Sequence, residues 1–236
     1  MHILLTRPEF DSHALAQTLG AMGASSTIAP LLEIIYETGP ALDLTNVQAL
    51  LFTSANGVRA FVQRCGVRNI LAIAVGDATA RELEQNDFTN IKSAAGDVNT
   101  LGQLVTTTLD PKAGELFHAA GSRLAGDLEG IVSMAGFKYR RQVLYRAETP
   151  DVFPLNATAA INDGLIDGVL FFSPRTAKTF ADLVKKAGIE NKLGKITVYC
   201  LSPGVKKMVE NLGWGEIKVA KTPEQSALLA LLNAPG

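Results

Sequence analysis

Cysteine is scarce: the 236 residues hold two, Cys65 and Cys200, too far apart for a metal pair or a disulfide framework. Cys65 closes an apolar helical stripe and Cys200 falls in a strand, so both are expected in the core. A reducing, cytoplasmic setting is expected with them. The three histidines, His2, His13 and His118, have neither metal spacing nor cysteine neighbours, which argues against a zinc site. No G-x-G-x-x-G follows a strand and no G-x-S-x-G occurs. The stretch from Gly121-Ser122-Arg123 to Gly126 continues with Asp127 and so is no phosphate-binding P-loop. No cofactor is expected. Neither sign of charge is in excess: Lys+Arg total 22 against 23 for Asp+Glu, a net charge of −1. A nucleic-acid partner would normally leave a basic excess. A small anion needs none, because helix N-termini bind anions through backbone amides. The chain has no apolar run near the roughly 18 residues of a membrane span. The apolar run Ile3-Leu4-Leu5 has no basic region ahead of it and stops after three residues, unlike a signal peptide. A membrane partner is not expected.

What is present is a globular composition, 47% apolar and 19% charged, which rules out disorder and a coiled coil. At roughly 150 residues per domain, the length fits one large domain or two small ones. Internal similarity decides between them. Phe52-Thr53-Ser54-Ala55-Asn56 can be laid on Phe171-Phe172-Ser173-Pro174-Arg175 with Ser54 on Ser173, each an apolar strand, a hydroxyl turn and a helix. Val58, Phe61, Val62 and Cys65 form a helical stripe in the first copy, and Ala177, Phe180, Ala181 and Val184 in the second. Further on, Ala74-Val75-Gly76-Asp77-Ala78-Thr79 matches Cys200-Leu201-Ser202-Pro203-Gly204-Val205. A third block pairs the Lys92 strand with that at Lys218, each leading to an expected helix cap, at Thr100 and Ser226. The second copy carries extra residues around Lys185 to Lys195.

Glu115 to Arg123 reads as a strand that begins a helix with Leu124, Leu128 and Ile131. Its counterpart lies at the start of the chain, where His2 to Pro8 leads into a helix with Leu15, Leu19 and Met22 ended by Gly23. One lobe is therefore expected from residues 1–33 plus 147–236, discontinuous, with residues 36–143 inserted as the other. The crossings fall near 31–36 and 142–147 and pair as a two-stranded hinge. Alternating strands and helices predict an α/β fold of two similar lobes, each a parallel sheet flanked by helices.

In such sheets ligands bind beyond the carboxyl ends of the strands. The turns there carry Thr6, Thr53, Ser54, Thr79, Ser122, Ser173 and Ser202. Each could simply cap a helix; together they point to an anion-binding cleft. Arg7 and Arg123 at equivalent turns, and Arg175 at the Ser173 turn, add charge for a carboxylate. Tyr145, at the second crossing, is either a packed hinge tyrosine or a weak acid able to hydrogen-bond a leaving hydroxyl.

The order and spacing of Leu5-Thr6-Arg7-Pro8, Pro30-Leu31-Leu32-Glu33-Ile34, Phe52-Thr53-Ser54-Ala55-Asn56-Gly57-Val58, Val75-Gly76-Asp77-Ala78-Thr79-Ala80, Gly121-Ser122-Arg123, Val143-Leu144-Tyr145-Arg146, Phe172-Ser173-Pro174 and Val219-Ala220-Lys221-Thr222-Pro223 resemble the uroporphyrinogen-III synthases over essentially the whole chain. The resemblance implies a cofactor-free cyclisation of the linear tetrapyrrole hydroxymethylbilane, with loss of water. It also implies inversion of the terminal ring through a spirocyclic pyrrolenine; closure without enzyme gives the uninverted isomer. The task is largely positioning of a flexible polycarboxylate. Carried over by position, the family's tyrosine falls on Tyr145, its Thr-Ser turn on Thr53 and Ser54, its Gly-x-x-Thr turn on Gly76 and Thr79, and its second serine turn on Ser173. Thr6, Arg7, Ser122, Arg123 and Ser202 complete the expected substrate-binding set, with no metal. The chain departs from the pattern at Val205, where the family has threonine, and at Asp77 and Ala55, where proline is usual. Asp77 adds a carboxylate that could repel an acidic substrate. A monomer acting on this small molecule is the leading reading. A non-catalytic two-lobe binding or sensor protein is the second, and a regulatory module that has lost activity the third.

Overall fold

Residues 1–232 are described by a computed structural model. In chain order the elements are β1 (His2–Leu5), α1 (Glu9–Ala21), β2 (Ser25–Ile28), β3 (Glu33–Tyr36), β4 (Val47–Phe52), α2 (Ala55–Arg64), β5 (Leu71–Ala74), α3 (Asp77–Gln85), β6 (Ile91–Ser93), α4 (Val98–Thr108) and β7 (Glu115–Gly121). Then follow α5 (Leu128–Met134), β8 (Lys138–Glu148), α6 (Leu155–Asn162), β9 (Gly168–Phe171), α7 (Pro174–Ala187), β10 (Thr197–Cys200), α8 (Pro203–Val209), β11 (Glu216–Val219) and α9 (Gln225–Ala230). The chain divides into two compact units, Met1–Glu33 with Glu148–Gly236, and Ile34–Ala147.

The first unit holds a sheet in the order β11-β10-β9-β1-β2, with every paired register parallel. Strand side chains alternate between faces, and the core follows that alternation. Leu4, Val169, Phe171, Val198 and Cys200 pack with Ala157 and Ile161 of α6 and Phe180 and Val184 of α7. Ile3, Leu5, Leu170 and Tyr199 face the other way, onto Leu15 and Leu19 of α1 and Leu228 of α9. These strands are apolar on both faces because helices cover both. The residues inserted in the second repeat include a 3-10 helix, Glu190–Lys195, whose Leu193 is buried in the first of these clusters.

The second unit holds a sheet in the order β3-β8-β7-β4-β5-β6. Leu50, Phe52, Ala72, Phe117 and Ala119 face α2 and α3, where Phe52 meets Phe61 edge to face at 5.6 Å between centroids. Ala49, Leu51, Ile73 and Leu116 face Leu101 and Val105 of α4 and Leu128 and Val132 of α5. Fully burying one such large side chain contributes about 1.5–3 kcal/mol.

The crossing strands β3 and β8 are hydrogen-bonded neighbours, and β8 also pairs with β7 from Lys138 to Tyr145, so their ladder continues into the sheet. Pairing on both sides satisfies backbone groups that an isolated ladder would leave open. Two local expectations need correction, in the helix after β7 and in the caps at Thr100 and Ser226. The helix after β7 starts only at Leu128, and Leu124 is exposed. Its first amides find an acceptor at Asp127, whose Oδ1 accepts from Gly130 N at 2.9 Å. Thr100 and Ser226 are not N-caps. Asp97 caps α4, accepting from Asn99 N and Thr100 N, while Thr100 Oγ1 accepts from Asp97 N at 2.7 Å in return. Ser226 lies inside α9, behind Glu224.

Candidate active site

In the second unit β5, β4, β7 and β8 are parallel neighbours, so their carboxyl ends lie along one edge. Thr53, Ser54, Gly76, Thr79, Ser122, Arg123 and Tyr145 all lie on that edge or in the turns leaving it. Ser54 caps α2, its Oγ accepting from Asn56 N at 3.1 Å. Gly76 precedes α3 without a side-chain cap, and Thr79 is buried in the first turn. The Asp77 carboxylate accepts from Ser93 Oγ at 2.8 Å, a bond that ties it to the end of β6. An ion pair of 2.7 Å between Arg59 Nη2 and Glu82 Oε2, both nearly buried, fastens α2 to α3 and so spaces the two turns. Ser122 and Arg123 are exposed.

The β7–β8 register shifts between Ala120 and Gly121: Ala120 stands opposite Val143, but Gly121 stands opposite Tyr145. Such irregularities re-aim side chains and recur near active sites. Here the shift sets the Tyr145 ring over Gly121, half-buried against the Phe52 cluster. Ser122 N donates to Tyr145 O at 2.9 Å, and Arg141 Nη2 donates to Gly121 O at 2.7 Å and Ser122 O at 3.0 Å. All three bonds hold the end of β7 in place.

In the first unit β1, β9 and β10 are also parallel neighbours, and their ends carry Thr6, Arg7, Ser173 and Ser202. Ser173 and Ser202 cap α7 and α8, accepting from Thr176 N and Val205 N. Val205, which stands where the family pattern has threonine, is buried. Thr6 is 1% exposed, and its hydroxyl donates to Leu170 O of β9 at 3.3 Å. The Arg7 guanidinium pairs with Asp11 at 3.0 Å, donates to Gln225 Oε1 and stacks 4.6 Å from the centre of the Phe172 ring. Both cysteines are free thiols; Cys200 is buried, whereas Cys65 is only half-buried at the end of α2. Burial pushes the Cys200 thiol up to about 12. Among the described residues no group of His, Cys, Asp and Glu could hold a metal ion, and no helix is long and apolar enough to cross a membrane.

A further group at this edge was not marked by sequence reasoning. His118 of β7 is 1% exposed, with Nε2 3.0 Å from Thr53 Oγ1 and Nδ1 2.6 Å from the Tyr139 hydroxyl on β8. Burial, and then the nearby Arg141 guanidinium, push the imidazole down to about 4, so it is neutral at pH 7. Burial, assisted by Glu129, raises the Tyr139 phenol to about 12. The one signal in the sequence was a lone polar residue in the apolar run Leu116-Phe117-His118-Ala119-Ala120.

The likenesses to known proteins cover nearly the whole chain. Residues 13–230 match the family model described as uroporphyrinogen-III synthase HemD. A uroporphyrinogen-III synthase of Chlorobaculum parvum is 24% identical over 238 residues, covering 94% of this chain and 92% of that protein. Among solved structures, uroporphyrinogen-III synthetase from Helicobacter pylori superposes with a TM-score of 0.64 at 18% identity, covering 98% of this chain and 97% of that one. A mutant uroporphyrinogen III synthase from the extremely thermophilic bacterium Thermus thermophilus follows at 0.52 and 14%, with 98% and 97% covered. At these identities the two structures speak for the fold: α/β, with two predominantly parallel sheets flanked by helices. The family model carries more, and on it the chain belongs to the uroporphyrinogen-III synthase family.

Proposed function

We propose that this chain closes hydroxymethylbilane to uroporphyrinogen III, inverting the terminal pyrrole ring and releasing water, with Tyr145 as the acid that assists departure of the hydroxyl. The observation that carries this reading is the placement of Tyr145 by the β7–β8 register shift, at the strand-end edge that also bears Thr53 and Ser54. The pyrrole electrons expel the hydroxyl of the substrate's hydroxymethyl group. That hydroxyl gains a proton and leaves as water, and a phenol able to donate a hydrogen bond lowers the barrier to its departure. The carbon so exposed is attacked by the ring at the far end of the chain. Atoms and electrons balance with no oxidant or reductant.

Selecting the inverted product is a matter of holding a flexible polycarboxylate in one geometry. In the second unit the amides at the starts of α2 and α3 suit carboxylates, as do the hydroxyls of Thr53, Ser54 and Ser122 and the exposed Arg123; in the first unit the amides at the starts of α7 and α8 and the hydroxyls of Ser173 and Ser202 do so. Gly76 lets substrate approach the α3 amides without a side chain in the way. Thr6 and Arg7, bound up as described, and the buried Thr79 serve by shaping these turns. The same reading takes the chain as a cytoplasmic monomer with no nucleic-acid or membrane partner, on the charge and apolar patterning above. Purified protein is expected to consume hydroxymethylbilane faster than the spontaneous closure. A protein that binds it without accelerating its loss is a binding module instead.

A further inference from the structure

The Thr53–His118–Tyr139 chain has a direction that follows from the chemistry of its members. Each hydroxyl has one hydrogen, and a neutral imidazole has one N–H and one bare nitrogen. Among the described residues His118 Nδ1 is the protein partner of the Tyr139 hydroxyl, and His118 Nε2 that of the Thr53 hydroxyl. When the phenol donates to Nδ1, the ring proton sits on Nε2 and points at Thr53 Oγ1. Thr53 then accepts inside the unit, and its own hydrogen is left for an outside acceptor. The phenol is the stronger hydrogen-bond acid of the pair and the bare imidazole nitrogen the stronger base, which favours this polarity over the reverse. The imidazole cannot reorganise by gaining a proton at neutral pH: Arg141 faces it from β8, and it is buried in the sheet. Glu129 of α5 and its cap Asp127 also act on Tyr139 and favour the intact phenol.

We propose that His118 and Tyr139 are positioning residues, which fix the Thr53 hydroxyl as a hydrogen-bond donor to a carboxylate of the substrate. The proposal rests on the synthase reading for the identity of the acceptor; the polarity of the chain stands apart from it. A donor held in this way needs no reorientation when substrate arrives, so the relay contributes to binding.

Steady-state kinetics on hydroxymethylbilane with Thr53→Ala, His118→Leu, His118→Gln and the double variant Thr53→Ala/His118→Leu test the proposal. Losing one hydrogen bond to a charged group should raise KM about tenfold, with kcat held within about twofold. Thr53→Ala and His118→Leu should each do this, and the double variant should be no worse than either. His118→Gln, whose side-chain amide can donate from near the Nε2 position, should recover most of the loss. Effects that multiply in the double variant, or a His118→Gln protein as poor as His118→Leu, would overturn the relay. Should the leucine variant not fold, nitrogen chemical shifts of His118 in the wild-type protein decide: a proton on Nε2 supports the relay and a proton on Nδ1 overturns it. That readout stands even if the wild-type protein makes no uroporphyrinogen III, in which case it is the functional reading that fails.

Discussion

Tyr145 occupies the space that a side chain at Gly121 would fill: a Cβ there would stand 2.7 Å from Tyr145 Cζ and 2.9 Å from its hydroxyl oxygen. Glycine is needed at this place for close approach of the ring, and the register shift delivers the ring to it. Gly121→Ala should therefore push the phenol aside. Displacing a reacting group by about 1 Å can cost on the order of a hundredfold in rate, so turnover should fall far more than stability, which should drop by about 1–3 kcal/mol. Turnover and urea unfolding of the same variant check both halves.

Tyr145→Phe keeps the ring over Gly121 and removes only the hydroxyl. The fold should remain intact by circular dichroism, and kcat should fall by roughly a hundredfold if the phenol assists the leaving hydroxyl. Unchanged kinetics would return Tyr145 to a packing role at the sheet edge.

His118 gives a pH prediction with a definite sign. Its folded value, about 4, lies below the 6.5 of a free imidazole, so the unfolded chain takes up the proton first. The stability linked to this ring is fully present above pH 6.5 and is lost as pH falls from 6.5 towards 4, by about 3 kcal/mol in all. His118→Gln should flatten urea-unfolding midpoints over that window. A variant with the same slope as wild type would place the acid sensitivity elsewhere.

The buried Arg59–Glu82 pair should matter for stability through its loss rather than its formation. Glu82→Ala leaves the Arg59 guanidinium largely buried without its 2.7 Å partner, which typically costs about 3–5 kcal/mol. Because the pair spaces α2 against α3, urea denaturation should show the loss as a lower midpoint.

Much of the architecture was legible in the residues themselves. Apolar strands alternating with helical stripes such as Ala177, Phe180, Ala181 and Val184 dictate parallel sheets covered on both faces, and all four of these side chains are buried. The caps at Ser54, Ser173 and Ser202 were legible too, because a hydroxyl before a helix satisfies amides locally. What escaped depends on which strand lies beside which. The placement of Tyr145 over Gly121 needs an inter-strand register, and the Thr53–His118–Tyr139 chain joins residues from three separate strands or turns. Thr6 and Thr53 look alike in sequence, each closing a strand. Only packing turns the first inward to Leu170 and sets the second against His118. The apolar spacing favours a helix from Leu124, but the first capping carboxylate comes at Asp127, and the helix waits for it.

On the proposed function, this chain directs closure of the tetrapyrrole to the inverted ring. The most direct measurement is the isomer ratio of the uroporphyrinogen formed from hydroxymethylbilane by the purified protein. Mainly the III isomer is expected from the wild type, with the uninverted isomer appearing as Tyr145→Phe slows the enzyme below the spontaneous reaction. Only the uninverted isomer from the wild-type protein would contradict that function.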